Sequence, residues 1–286
     1  MATRDRIVVV TGATGRQGGA VVRHLLSEGW RVRALTRKPN GKRAQRLAGL
    51  GAEVVGADMA RHATLGPAFS DAYGVYSVQN PMISGLDGEI IQGKNVADAA
   101  KEAGVQHVVY GSSGMGVPTG VGSWDSKLAV QSHMQTLGLP LTVLRPMAFM
   151  ELMTERAFFP PVSTWYLMPK LMGGDRPVLW LWVDDLGAIA ARAFAEPERF
   201  IGADLKLVSD IQSNDQCRLI WREVMGRAPR RFPMPTWMFE RFVSTDLTNM
   251  WRWLRTNDVD VDPAETHKIL PTASTVRHWL SDSRST

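Results

Sequence analysis

The sequence predicts a doubly wound parallel α/β sheet, and three observations predict it. Short apolar runs recur through the first half of the chain, separated by segments of helical spacing, the alternation expected of strand–helix–strand units. The first run, Ile7-Val8-Val9-Val10, is apolar throughout, as in parallel strands covered on both faces. That run stops at a turn with Gly12, Gly15 and Gly18, after which Ala20, Val21, Val22, Leu25 and Leu26 recur at helical spacing up to Gly29.

Strand, glycine turn and helix together form a phosphate cradle. Gly12 lets the backbone turn sharply, Gly15 lets a pyrophosphate approach the chain, and Gly18 lets the helix pack on the strand. Free N–H groups and the helix dipole then face the anion, with Thr14, Arg16 and Gln17 in the same turn. The next strand runs from Trp30 to Thr36 and ends at Arg37, Lys38 and Pro39. A carboxylate at this edge would accept from the 2′-hydroxyl of NAD, whereas Arg37 and Lys38 suit the 2′-phosphate of NADP. The cofactor expected is therefore NADP(H), with NAD(H) as the alternative.

Further strands are expected at Glu53–Met59, at Gly74–Gln79 and at Gln106–Tyr110, and a sixth at Leu141–Arg145 leaving through Pro146. Gln79 and Asn80 fall at the carboxyl edge of the sheet, where open α/β folds bind ligands. Helices are expected around Ile90–Ala100, ending near Gly104, and from Trp124 to Leu137.

Beyond residue 150 the patterns shorten, prolines recur, and eight of the ten tryptophans appear. The division expected is a dinucleotide-binding domain over 1–150, rejoined by 177–209, and a smaller, discontiguous lobe from 151–176 and 210–286. Within the rejoining stretch, Val178–Val183 is read as a strand of the main sheet. The lobe's tryptophans, with Met150, Met153, Met168 and Met172, form either a pocket for a flat apolar molecule, a core or a homodimer interface.

Composition narrows the classes. At 286 residues, 44% hydrophobic and 21% charged, the chain is long enough to bury a core without disulfides or structural metal. Cys217 is the only cysteine, and the six histidines lack close ligand spacing, so no metal site is inferred. The net charge of +5 is dispersed and no nucleic-acid-binding motif accompanies it. The N-terminus runs straight into the first strand, and no apolar run has membrane-spanning length, so a cytoplasmic protein without a membrane partner is expected. There is no Gly-x-Ser-x-Gly elbow of a hydrolase.

Thr11-Gly12-Ala13-Thr14-Gly15-Arg16-Gln17-Gly18-Gly19, with spacing Gly-x-x-Gly-x-x-Gly, resembles the opening of the NmrA-like family, an atypical branch of the short-chain dehydrogenase/reductases. The resemblance covers most of the chain, most strongly to about Met150, and implies a Rossmann-like fold. It also implies that Asp58 and Met59 lie against the adenine, although Asp58 is equally suited to cap the next helix. Trp124-Asp125-Ser126-Lys127-Leu128 resembles the family's lysine-bearing helix start, which makes Lys127 the candidate for the nicotinamide ribose and for catalysis. Four residues earlier stands Ser123, where short-chain dehydrogenases usually carry the proton-transferring tyrosine. Ser112 and Ser113 resemble the superfamily's substrate-contacting serine position, which makes Ser113 a catalytic candidate beside Lys127 and Ser112 a substrate contact, and Pro146, Ala148 and Phe149 are expected beside the nicotinamide. Met115, Trp124, Met150 and Trp165 complete the expected substrate contacts.

Two functions follow as expectations. One is an NADPH-dependent oxidoreductase moving hydride to a hydrophobic aromatic carbonyl or quinone, including reduction that leads to oxygenation. The other is a non-catalytic NAD(P) redox sensor acting through a protein partner, which the serine at 123 keeps open.

Overall fold

A computed structural model describes residues 5–285. It divides the chain into two compact units: one runs to Arg145 and resumes over Val183–Lys206, and the other comprises Pro146–Trp182 and the chain from Leu207 onward.

From the amino end the elements are β1 (Ile7–Val10), α1 (Arg16–Ser27), β2 (Arg31–Thr36), α2 (Lys42–Gly49), β3 (Glu53–Gly56), α3 (Gly66–Phe69) and β4 (Ala72–Ser77). Next come α4 (Pro81–Glu102), β5 (His107–Gly111), α5 (Gly122–Thr136), β6 (Leu141–Pro146) and β7 (Ala148–Phe149). They are followed by α6 (Met168–Met172), β8 (Pro177–Leu181), α7 (Val183–Ala195), α8 (Pro197–Phe200), β9 (Asp204–Leu207) and β10 (Asp210–Ser213). Helices α9 (Asn214–Met225), α10 (Thr236–Phe239), α11 (Thr245–Thr256), α12 (Pro263–Ile269) and α13 (Val276–Ser285) complete the chain.

The first unit holds a seven-stranded sheet in the order β3-β2-β1-β4-β5-β6-β9. Its first six strands pair in parallel, with Val8 of β1 opposite Val32 on one side and Gly74 on the other. The order reverses between β1 and β4, the switch point at which the strand ends diverge and leave a crevice. β9 extends the sheet beyond the six strands expected; four residues with two charges carry too little apolar signal to announce a strand.

Helix α4 begins nine residues before the apolar spacing suggests. Asn80 accepts the N–H of Met82 on its side-chain oxygen, and Pro81 takes the first helical position, where its missing N–H costs nothing. The helix breaks at Gly85 (φ 74°, ψ 171°) before it resumes. Farther along, a Cβ on Gly93 would lie 2.5 Å from both methyl groups of Val130, so only glycine lets α4 and α5 pack this closely. Beneath them Val9, Val75, Val96, Ala100, Val108 and Met134 form the core on that face of the sheet.

The expectation that Val178–Val183 rejoins the main sheet is corrected. β8 pairs in parallel with β7 and antiparallel with β10, in a separate three-stranded sheet of the second unit. What returns to the first unit is α7, whose Asp184 binds Arg23 (2.8 Å) and His24 (3.0 Å) of α1. An apolar run encodes burial on two faces, and either sheet satisfies it. Within the second unit Met150, Met153, Trp165, Trp180, Trp251 and Trp279 share one core. The Trp165 N–H donates to the Met153 carbonyl (3.2 Å) and the Trp180 N–H to the Gln212 carbonyl (3.0 Å), so both buried rings keep a partner.

Candidate functional site

The glycine turn stands at the switch point of the first unit. Gly12 adopts a φ of +58°, and its carbonyl accepts the N–H of Gly15 at 2.8 Å. A Cβ on Gly18 would sit 2.5 Å from the Gly12 oxygen, so α1 can start this close to β1 only without a side chain there. Helix α1 is preceded by Gly15, with no side-chain cap and no acidic residue in its first turn. Its opening N–H groups lack intrahelical partners and nothing anionic competes for them. Thr11 accepts the Val78 N–H at 2.8 Å and fastens the end of β1 to the exit of β4. Gln17 is turned toward the buried Tyr76, whose hydroxyl donates to it at 3.3 Å and is held protonated by burial. The open backbone, bare helix start and absence of acid fit a pyrophosphate.

At the next strand end, Arg37 and Lys38 are exposed, and the Lys38 N–H donates to the Thr36 hydroxyl (3.1 Å), closing the turn. Asn40, Lys42, Gln45 and Arg46 line a shallow basin just beyond. Asp58 accepts the Ala60 N–H at 3.0 Å, the turn-capping arrangement, and leaves its second carboxylate oxygen for another partner. Met59 lies 3.8 Å through sulfur from the Gln79 amide, which also donates to Ser77 (3.0 Å). The Gln79 carbonyl in turn accepts from Lys127 (3.3 Å), so Met59, Gln79 and Lys127 form one thread along the carboxyl edge.

Lys127 ends this thread as a buried cation. Its side chain is 10% exposed, and its ammonium is paired with Glu89, which is wholly buried. The other Glu89 oxygen accepts the Ser126 hydroxyl at 2.5 Å. Tyr110 donates to the Lys127 carbonyl (3.3 Å), and burial first, then the Glu89 charge, raises its pKa well above the ordinary phenol value, against the opposing charge of Arg145. Tyr110 is wholly buried and its one hydroxyl proton is committed to the Lys127 carbonyl, so it is no substitute for the missing tyrosine acid.

The loop after β5 departs from its expected role. Ser112 is 1% exposed and accepts from Arg145 (3.2 Å), while the Ser113 carbonyl accepts a second Arg145 N–H (2.9 Å). Arg145 also binds Asp204 twice, at 2.5 and 2.8 Å, and donates to Gln131. Asp125 closes the loop by accepting from the N–H groups of Thr119 (2.9 Å) and Gly120 (2.8 Å). Trp124 is packed under this loop, where a Cβ on Gly114 would lie 2.5 Å from the ring. Ser112 and Trp124, expected at the substrate, are therefore occupied in shaping the loop; Ser113 and Met115 remain half-buried on it.

Pro146, Ala148 and Phe149 belong to the second unit, where Ala148 and Phe149 form β7. Met150 and Trp165 lie in that unit's core with no surface to offer a ligand, and their expected substrate contact is corrected to packing. Close contact with other apolar side chains satisfies a bulky residue without any ligand. Glu89, Gln131, Arg145 and Asp204 carry no sign of this network in the sequence, because a polar side chain tied into a network has the same letter as a solvated one. Among the described residues, no group of three His, Cys, Asp or Glu side chains is placed to hold a metal ion, and no helix is long and apolar enough to cross a membrane.

Comparison with known proteins fits this geometry. A 306-residue alignment with the NmrA-like family domain-containing oxidoreductase malD of Malbranchea aurantiaca is 29% identical and covers 94% of this chain and 91% of the relative. The corresponding oxidoreductase FrzB of a Cladobotryum species is 30% identical, over 81% of this chain and 77% of its own. Among solved structures, the negative transcriptional regulator NmrA in complex with NADP matches with a TM-score of 0.77 and 19% identity, over 97% of this chain and 94% of that one. Citrobacter sp. triphenylmethane reductase complexed with NADP(H) matches with a TM-score of 0.78 and 21% identity, over 96% and 99%. An NADPH-dependent quinone oxidoreductase from Escherichia coli gives 0.72 and 21%, over 97% and 99%. These three likenesses are likenesses of fold. The model of the NmrA-like family matches residues 4–280, and the chain belongs to that family.

Proposed function

We propose that this protein is an NAD(P)(H)-dependent oxidoreductase that prefers NADP(H) and reduces a hydrophobic aromatic carbonyl or a quinone. The observation that carries the reading is the turn at Gly12–Gly18: open backbone at the switch point, no side-chain cap, no acid. The N–H groups of the first turn of α1 receive the pyrophosphate. Arg37 and Lys38 receive the 2′-phosphate that distinguishes NADP from NAD. Asp58 and Met59 border the adenine, and Lys127 donates to the nicotinamide ribose. Bound there, the reduced nicotinamide supplies hydride.

Ser123 stands where a tyrosine would transfer a proton, and Tyr110 is buried with its hydroxyl turned to the Lys127 carbonyl. A quinone tolerates this, since the oxygens of its reduced ring are comparatively acidic and take protons from water. The oxidoreductase names of the curated relatives, and the reductases among the structural neighbours, support the reading.

The test is titration of the purified protein with NADPH, NADH and their oxidised forms, then anaerobic mixing with quinones and triphenylmethane dyes. Loss of the reduced-nicotinamide absorbance in the presence of an acceptor is the expected outcome. Absence of NADPH binding overturns the cofactor assignment. Binding without turnover, with unequal affinity for the oxidised and reduced forms, gives the sensor reading instead.

A further inference from the structure

Glu89 is a fully buried carboxylate on a helix of the first unit, and its charge is aimed at a residue of the proposed site. We propose that Glu89 is a positioning residue that fixes the Lys127 ammonium at the carboxyl edge of the sheet, with one N–H kept for a bound ligand. The inference rests on the reading of Lys127 as a cofactor contact.

Three observations carry it. First, both carboxylate oxygens are engaged, one by Lys127 and the other by the Ser126 hydroxyl at 2.5 Å, so the carboxylate cannot swing. Second, an ammonium has three N–H groups, and Glu89 and the Gln79 carbonyl accept two of them. Third, the pair is set by the helix contact itself. Glu89 and Gly93 lie four apart on α4, Ser126 and Val130 four apart on α5, and residues so spaced share a helix face. The close approach at Gly93 and Val130 thus delivers Glu89 onto Ser126 and Lys127 one turn away.

Stability alone gives no reason for the arrangement. Drawing a carboxylate and an ammonium out of water costs several kcal/mol per ion, and apolar residues of equal volume are commonly as stable in their place. What apolar residues cannot do is hold a charged donor still. A long lysine side chain otherwise keeps its rotamer freedom, which a ligand would have to quench on binding.

The experiment uses the full-length protein and the variants Glu89→Gln, Glu89→Leu, Lys127→Met and the double variant Glu89→Gln/Lys127→Met. Without ligand, acylation of Lys127 by an amine-reactive reagent is followed by peptide mass spectrometry. Glu89→Gln is expected to speed it about tenfold, a change of about 1.4 kcal/mol. With NADPH, Glu89→Gln is expected to weaken binding about as much as Lys127→Met, and the double variant to lose nothing further, the signature of two residues acting as one. Glu89→Leu leaves the Lys127 ammonium without its countercharge and is expected to lower the melting temperature, whereas the double variant Glu89→Gln/Lys127→Met, which removes both charges, is expected to keep it while losing the same affinity, which separates positioning from folding. Unchanged acylation in Glu89→Gln overturns the proposal whether or not any cofactor binds. Losses that multiply in the double variant, or Glu89→Gln affinity within twofold of wild type while Lys127→Met is weak, overturn it as well. Failure of the cofactor reading shows differently: Lys127→Met then binds NADPH like the wild type, and acylation alone decides whether Glu89 holds the lysine.

Discussion

Arg145 and Lys127 are both buried cations of the first unit, each paired with a carboxylate, yet they differ in how completely they are used. All five N–H groups of Arg145 have acceptors: Asp204 through two oxygens, Gln131, the Ser112 hydroxyl and the Ser113 carbonyl. Lys127 has two acceptors for three N–H groups. A saturated cation has nothing left to give a ligand and serves the loop and the edge strand that it ties together. An unsaturated one, at the edge where ligands enter an open sheet, is available for chemistry.

Asp204→Ala strikes the saturated side and has the largest expected effect. It leaves a guanidinium that is 1% exposed without its countercharge, and about 4 kcal/mol of stability should be lost in denaturant unfolding. NADPH affinity should change little; a loss as large as that of Lys127→Met would erase the distinction between the two cations.

His107 sharpens the comparison, being unsaturated at the opposite end of a strand. Thr142 donates its only proton to the Phe200 carbonyl (2.7 Å), so His107 must donate through Nε2 (2.8 Å), which leaves Nδ1 bare and buried. Burial lowers its pKa from 6.5 to about 4. As pH falls below 6.5 the unfolded chain takes up a proton that the folded one refuses. Stability should therefore decline from pH 6.5 to about 4, by about 3 kcal/mol in all. Unfolding curves at stepped pH should show this slope, and His107→Leu should flatten it. His107 opens β5 and lies at the amino end of that strand, away from the ligand edge, so an unused nitrogen there marks no site.

Lys127→Met comes next, with turnover on an accepted quinone expected to fall about a hundredfold, equivalent to about 2.7 kcal/mol. Steady-state assays with saturating NADPH check it. The smallest effect belongs to the exposed cations: Arg37→Glu or Lys38→Glu should weaken NADPH about tenfold and leave NADH nearly unchanged. Equal losses for both cofactors in a binding titration would remove the 2′-phosphate from the argument.

The first strand, glycine turn and helix were legible because each property is local: apolar run, glycine spacing and 3.6-residue period lie within about twenty residues. Lys127 was legible only through resemblance. Glu89 was not legible at all: Asp87-Gly88-Glu89 reads as a solvated stretch, and what buries it is a contact with α5, 37 residues on, that depends on Gly93. The break at Gly85 hid the start of α4 in the same way, since Met82, Ile83 and Leu86 are exposed and spoil the apolar period. The run Val178–Val183 reads as a strand of the main sheet, but the strand Pro177–Leu181 lies in the other sheet, because pairing partners leave no trace in a run of apolar letters.

The chain crosses between its two units at Arg145/Pro146, Trp182/Val183 and Lys206/Leu207. A gene fragment stopping near codon 150 would keep the glycine turn but discard α7, which supplies Asp184 to α1, and β9, which supplies Asp204 to Arg145. The dinucleotide half is thus not a removable cassette. An exchange of the second unit between relatives requires two grafts, one between residues 146 and 182 and one from 207 onward, with the bridging segment left native.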